Sequence, residues 1–147
     1  PYSGNDNAGE IGHMILQYVP KKKKKNEINN PGSFEILASG ETIRKRTKRI
    51  FGKKLTAKQL TDLVKKGNLQ AKKILEEITT YLAIGISNLI YTFDPDIIVL
   101  AGGVREAGSY FLDKVIIKVR ALNTIPTPIV WTKLEEPGLL GASTLIK

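Results

Sequence analysis

The chain has 147 residues, 41% hydrophobic and 25% charged, which suits one ordinary domain or one lobe of a larger protein and excludes collagen, coiled coil and full disorder. There is no cysteine, so disulfides, thiolate catalysis and Cys-based zinc sites are excluded, and no apolar run reaches the ~18 residues of a membrane-spanning helix. The net charge of +9 is uneven: residues 21–73 hold 17 Lys and Arg against 4 Asp and Glu, a balance of +13, and the rest holds 6 against 10, a balance of −4. The chain starts at Pro1 without the charged and apolar regions of a signal peptide, which reads as a fragment or a processed chain, and the lack of cysteine fits a cytoplasmic location.

Residues 1–12 are rich in Gly, Asn and Asp and read as turns. Residues 11–19 carry Met14, Ile15, Leu16, Tyr18 and Val19 and read as a short strand closed by Pro20. Residues 21–32 form a solvated loop, opened by Lys21 to Lys25 and closed by Pro31-Gly32. Ser33 is a candidate N-cap for a helix through Phe34, Ile36, Leu37 and Ile43, weakened in its middle by Gly40. Thr56 and Gln59 have capping-box spacing and open a helix with Leu60, Leu63 and Val64 inward, stopped near Gly67.

A longer helix starts at Asn68. Ile74, Ile78, Leu82, Ile86, Leu89 and Phe93 form its continuous apolar face, Ala71, Ala83 and Gly85 let another element approach, and Asp94-Pro95 ends it. So apolar a helix belongs at the centre of the fold or in a subunit interface. Residues 96–100 read as a buried strand and Gly102-Gly103 as a tight turn. A helix from about Glu106 to Leu122 follows, with Phe111, Val115, Ile116 and Val119 inward. Pro126 and Pro128 bracket a turn before a strand at 129–131, and residues 139–146 read as a terminal helix. Two strand–helix units in a row predict an α/β domain with a partly parallel sheet.

Three places can carry chemistry. Glu10 and His13 lie three apart among glycines, where a carboxylate and an imidazole can bind vicinal hydroxyls; an exposed turn explains them equally. Glu35 follows Ser33 in the first turn of a helix, where the dipole alone favours a carboxylate; otherwise it converges with Glu10 and His13. Gly102 and Gly103 join a strand to a helix, which suits a phosphate or nucleotide against backbone N–H groups, or merely tight geometry. Pro137-Gly-Leu-Leu-Gly-Ala142 suits close packing of the last helix on the sheet. His13 is the only histidine, so a His-rich metal site is excluded.

Together these segments resemble the ROK family of sugar kinases, glucokinases among them, and sugar-responsive repressors. The resemblance rests on Ala8-Gly-Glu-Ile-Gly-His-Met14, Gly32-Ser-Phe-Glu35, Leu37-Ala-Ser-Gly40, Leu55-Thr-Ala-Lys58, the run from Phe93 to Val104, and Gly138-Leu-Leu-Gly-Ala142. It implies an α/β, actin-like (ribonuclease H-like) two-lobed ATPase fold with a mixed sheet flanked by helices, of which residues 1–147 are a single C-terminal lobe. By the same resemblance Glu10, His13 and Glu35 bind sugar hydroxyls and Gly102-Gly103 contacts nucleotide.

The resemblance further implies ATP and Mg²⁺ for the complete enzyme, a hexose substrate, a homo-oligomer such as a dimer, and no role for a membrane. The chain departs from it twice. The family's structural zinc loop has Asn26, Ile28 and Ser33 at its cysteine positions, so no zinc is expected. The N-terminal lobe, with its phosphate loops and catalytic Asp, is missing; Asn5-Asp6 lies too close to Glu10 to be that catalytic pair and belongs to the turn. No residue of this chain is assigned as catalytic, and the chain alone should be inert until the other lobe is supplied in cis or in trans. A sugar-sensing repressor domain is the alternative to a sugar kinase. A nucleic-acid-contacting module is a weaker one, because no recognition helix, zinc finger or RNP pattern accompanies the basic run.

Overall fold

In the computed structural model, residues 9–20, 30–135 and 140 are described. The expected loop at 21–32 therefore lies mostly outside the described residues, as do the turns at 1–8 and nearly all of the expected terminal helix. The described elements are α1 (Phe34–Ala38), α2 (Gly40–Phe51), α3 (Ala57–Lys65), α4 (Leu69–Phe93), β1 (Ile98–Leu100), α5 (Gly108–Leu122) and β2 (Ile129–Trp131), with 3-10 turns at Ile11–His13 and Gly103–Ala107.

α4 is the centre. It packs on α1, α2, α3 and α5, so its apolar residues find partners around much of its circumference. Ile74, Ile78, Ile86 and Ile90 are buried, as are the small residues Ala71, Ala83 and Gly85. Each large aliphatic side chain so buried contributes about 1.5–3 kcal/mol relative to exposure. Phe93, expected on the inward face, is 67% exposed. It is the last residue of the helix, and the chain leaves through Asp94 in the left-handed conformation. Asn68 caps the other end, its side chain accepting from the Ala71 N–H at 2.9 Å.

α3 opens with the expected capping box. Thr56 Oγ1 accepts from the Gln59 N–H at 3.2 Å and Gln59 Oε1 accepts from the Thr56 N–H at 2.9 Å. Leu60 and Val64 point into the core. Thr47 ties α2 to the approach of this helix: its buried hydroxyl donates to the Ile43 carbonyl at 2.8 Å and accepts from the Leu55 N–H at 2.9 Å.

Two expectations are corrected. The helix through Phe34 and Ile43 is divided at Ser39, which is extended (φ −77°, ψ 163°). Ser39 Oγ accepts from the Thr42 N–H at 3.2 Å, and Thr42 Oγ1 donates to the Ile36 carbonyl at 2.7 Å. A side chain that caps a new helix competes with continuing the old one, so Gly40 starts α2 and does not weaken a helix middle. The expected strand at 11–19 is a 3-10 turn followed by one antiparallel bridge, Ile15 to Ser33. The N–H groups of Leu16 and Gln17 both turn to the Gly32 carbonyl, at 2.9 and 3.2 Å, so no ladder propagates.

β1 and β2 pair in parallel, with Ile98, Val99 and Leu100 opposite Ile129, Val130 and Trp131. α5 connects them and lays Phe111, Val115 and Val119 against α4. Trp131 joins sheet and helix: its ring stacks on Phe111 at 6.4 Å and its indole N–H donates to the Gly108 carbonyl at 3.2 Å. The α/β class expected from the sequence is the class observed.

Candidate functional site

Glu10 and His13 lie at either end of the first 3-10 turn. The His13 N–H donates to the Glu10 carbonyl at 3.1 Å, closing the turn between them. Both residues are solvent-exposed, as hydroxyl-binding groups at a surface must be.

Glu35 reaches this turn through a backbone splice. The Phe34 N–H donates to the Met14 carbonyl at 2.8 Å and Ser33 bridges to Ile15. Gly32 makes the splice possible, because a β-carbon there would lie 1.7 Å from the Gln17 carbonyl oxygen. The result sets Glu35 beside Gly12: a β-carbon on Gly12 would stand 3.4 Å from Glu35 Cβ and 4.0 Å from its Oε2. A shallow cavity of about 190 Å³, lined by Ile11, Gly12, Phe34, Glu35, Ser39 and Leu82 among others, lies at this junction. The segments bearing Glu10, His13 and Glu35, 22 residues apart in sequence between the nearest pair, thus meet. Glu10 and His13 do not line that cavity.

Ser33, at a position where the family resemblance leads one to expect a cysteine, is fully buried with an unpartnered hydroxyl, and it does not cap α1 by its side chain as expected. Asn26 and Ile28 lie outside the described residues. Among the described residues no three His, Cys, Asp or Glu side chains converge as a metal-binding group.

The second place is the glycine turn after β1. Gly102 has φ 83° and ψ −170°, a region open essentially to glycine alone. Gly103 has ordinary backbone, and a β-carbon on it would meet nothing within 4 Å. The helix expected from Glu106 begins instead at Gly108, behind a five-residue 3-10 turn, so the N-terminus of α5 is displaced from the two glycines. Around them is a cavity of about 520 Å³ lined by Gly102, Gly103, Arg105, Glu106, Thr132 and Glu135. Arg105 closes its rim, its guanidinium donating to the Leu134 carbonyl at 2.8 Å, and the Thr132 N–H donates to the Leu100 carbonyl at 2.8 Å. The sequence reading missed Arg105, Thr132 and Glu135; Arg105 was signalled only by its place two residues after Gly103.

The sequence profile of the ROK family matches residues 1–147. The chain belongs to the ROK family. It is 26% identical to a glucokinase of Thermotoga maritima, over 99% of this chain and 51% of that protein. It is 28% identical to the DNA-binding transcriptional dual regulator NagC of Escherichia coli, over 97% of this chain and 38% of that protein. Its fold superposes on a ROK hexokinase of Thermus thermophilus with a TM-score of 0.77 at 25% identity, covering 95% of this chain and 47% of that one. A ROK glucokinase of Streptomyces griseus, solved with glucose and AMPPNP, gives a TM-score of 0.71 at 22% identity, with 94% and 51% covered. The chain therefore spans between 38% and 51% of the length of these relatives, and it shares the actin-like ATPase fold of the ROK kinases.

Proposed function

We propose that residues 1–147 form one C-terminal ROK lobe that binds a hexose through Glu10, His13 and Glu35 and contacts ATP at the Gly102-Gly103 turn, as half of a sugar kinase. The observation that carries it is the junction at Gly12, where the turn bearing Glu10 and His13 meets Glu35. Carboxylates accept hydrogen bonds from hydroxyls, and an imidazole either donates or accepts, so this set suits a polyhydroxylated ligand. The glycine-turn cavity suits a nucleotide because, among the described residues, nothing comes within 4 Å of a β-carbon placed on Gly102 or Gly103.

ATP supplies the transferable γ-phosphoryl group when bound. Glu10, His13 and Glu35 orient the sugar so that one hydroxyl oxygen faces that phosphorus, and such positioning is a large share of phosphoryl-transfer catalysis. Arg105, held to Leu134, keeps the rim of the nucleotide cavity in place. The proton of the attacking hydroxyl passes to a base outside residues 1–147, as the family resemblance implies. Mg²⁺ has no carboxylate cluster among the described residues and would be held by the phosphates and the other lobe.

The outer side of the sheet supports a docking lobe. Val99 and Val130 are register partners and are 53% and 38% exposed, whereas parallel sheets are ordinarily covered on both faces. A dimer in the cytoplasm is the assembly we propose, checked by light scattering.

The similarity to NagC supports a second reading, a sugar-sensing domain without phosphoryl transfer. A catalytic Asp in the companion lobe favours the kinase; a helix-turn-helix there favours the sensor. The test common to both is titration with glucose and with an ATP analogue after the companion lobe is supplied. Glu10→Gln and Glu35→Gln should each weaken glucose binding roughly 10- to 150-fold, the loss of a charge-assisted hydrogen bond, His13→Ala should weaken it as well, and all three should spare the nucleotide. Unchanged glucose affinity in the Glu10 and Glu35 variants would return both carboxylates to an exposed turn and a helix first turn.

A further inference from the structure

Gly85 lies in the interior of α4 and is the most crowded helical glycine among the described residues. A β-carbon there would lie 2.5 Å from Phe34 Cζ and 2.7 Å from both Cε atoms. The tip of the ring therefore stands in the notch that the missing side chain leaves. Phe34 is held at its other end too, because its N–H donates to the Met14 carbonyl at 2.8 Å in the splice below the 3-10 turn. Glu35 is the next residue, and its Cβ is in contact range of Gly12.

We propose that Gly85 is a positioning residue for the sugar site, seating the Phe34 ring so that Glu35 is held against the Glu10–His13 turn. The inference rests on the sugar-site reading given above. The linkage runs through a single peg. The notch fixes the ring, the ring fixes the first residue of α1, and that residue fixes both the carboxylate beside it and the Met14 backbone. α1 is too short, at five residues, to hold Glu35 by its own helical hydrogen bonds. Leu82, one turn before Ile86 on α4, lines the junction cavity with Phe34 and Glu35, so α4 forms the wall against which the site is built.

The notch is not explained by helix stability. In an uncrowded helix interior, glycine is worse than alanine. A glycine maintained there for packing should instead resist enlargement, and the resistance should depend on the ring it accommodates. That dependence separates a positioning role from a general need for a small residue.

The test uses the 147-residue chain, with the companion lobe supplied, in four forms: unaltered, Gly85→Ala, Phe34→Leu, and both together. Two readouts are taken at a temperature well below each form's melting point: amide NMR shifts of Gly12 and Glu35, and titration with D-glucose. Gly85→Ala should displace both amide signals and weaken glucose binding at least tenfold. Adding Phe34→Leu should return the signals toward their original positions and bring affinity back to within about threefold. If Gly12 and Glu35 signals are unmoved by Gly85→Ala, the linkage is overturned. If they move but glucose affinity does not, or if the loss is not rescued by Phe34→Leu, the positioning role is overturned. If the unaltered chain binds no glucose while the signals move and recover, the sugar reading fails and the mechanical linkage stands. Should Gly85→Ala alone fail to fold, recovery of folding and of both readouts in the double variant supports the proposal, and failure of the double variant as well overturns it.

Discussion

The junction of Glu10 with Glu35 and the turn at Gly102-Gly103 both depend on glycine, for opposite reasons. At the junction space is exhausted: a β-carbon on Gly32 would strike a backbone carbonyl oxygen at 1.7 Å. At the turn space is plentiful: among the described residues nothing comes within 4 Å of a β-carbon placed on either glycine, and only the backbone angles of Gly102 demand the residue. One region is a closed splice that holds two segments together. The other is an open turn beside a cavity, which the proposed nucleotide would occupy. A glycine that fills a contact and a glycine that leaves a vacancy look alike in a sequence, and enlarging each separates them.

The largest effect should come from Gly32→Ala. The obstructing atom belongs to the backbone, so no side-chain rotation relieves it, and the Leu16 and Gln17 bonds to the Gly32 carbonyl would be lost with the splice. Overpacking of this kind costs about 3 kcal/mol. Urea unfolding should show the lowered midpoint, and the amide signals of Gly12 and Phe34 should broaden or move. A variant as stable as the unaltered chain would mean that the splice carries no weight.

At the open turn the two adjacent glycines should part company. Gly102→Ala forces a residue with a β-carbon into φ 83°, ψ −170°, at a cost of about 2 kcal/mol. Gly103→Ala should alter stability by no more than about 0.5 kcal/mol. Gly103→Val should crowd the nucleotide turn proposed above. The geometry sharpens this, since the added atoms enter the cavity and not the chain, so binding of an ATP analogue should fall while the melting temperature holds. Equal destabilisation by both alanine variants would contradict the assigned backbone.

A local signal was read well where the stabilising partner was local. Thr56 and Gln59 are three apart and satisfy each other, so their capping box was legible, and Thr56→Ala should cost about 1 kcal/mol in thermal melts. The apolar face of α4 was legible for the same reason, save at Phe93, where the helix runs out of neighbours. The strand expected at 11–19 failed because, among the described residues, its β-favouring side chains have no partner strand beyond the single bridge of Ile15 to Ser33. The N–H groups of Leu16 and Gln17 meet the one Gly32 carbonyl, a contact between segments distant in sequence that propensity does not encode. The break at Ser39 was obscured by Gly40, which draws the eye as a weak helix residue although the hydroxyls of Ser39 and Thr42 do the capping. At the site, residue types and spacing suggested Glu10, His13 and Glu35. The sequence could not show that the turn at Gly12 lies beside Glu35, or that Arg105 and Thr132 border the glycine cavity.

The smallest effect concerns α4 and α5, away from both regions, and serves as their control. Glu76 takes Lys114 on one carboxylate oxygen and Lys118 on the other, each at 2.8 Å. The Lys114 hydrogen bond, then that of Lys118, holds the Glu76 carboxyl below the usual carboxylate range, against the opposing effect of its burial. The Lys114 ammonium is raised above the usual lysine range, chiefly by the same hydrogen bond to Glu76. A depressed carboxylate stabilises the fold above its unfolded value, and that contribution is lost as the pH falls through the folded value, below the ordinary carboxylate range. A raised ammonium stabilises below its unfolded value and loses the contribution as the pH rises through its folded one, beyond the ordinary lysine range. The contribution should therefore be complete at neutral pH and fade at both extremes, and the two shifts describe one interaction that is counted once. Its size is limited, because the Glu76 side chain is 36% exposed and solvent screens the pair; less than about 1 kcal/mol is expected. Lys118 also keeps acceptors that Glu76→Gln leaves untouched, the Glu76 carbonyl at 2.7 Å and Thr80 Oγ1 at 2.8 Å. The difference in urea midpoint between the unaltered chain and Glu76→Gln should accordingly be small at neutral pH, shrink toward zero in acid, and shrink again in about 1 M salt. The Gly12 and Glu35 amide signals should not move. A difference that grows in acid would reverse the sign assigned here, and movement at Gly12 would show that the far side of α4 is coupled to the splice.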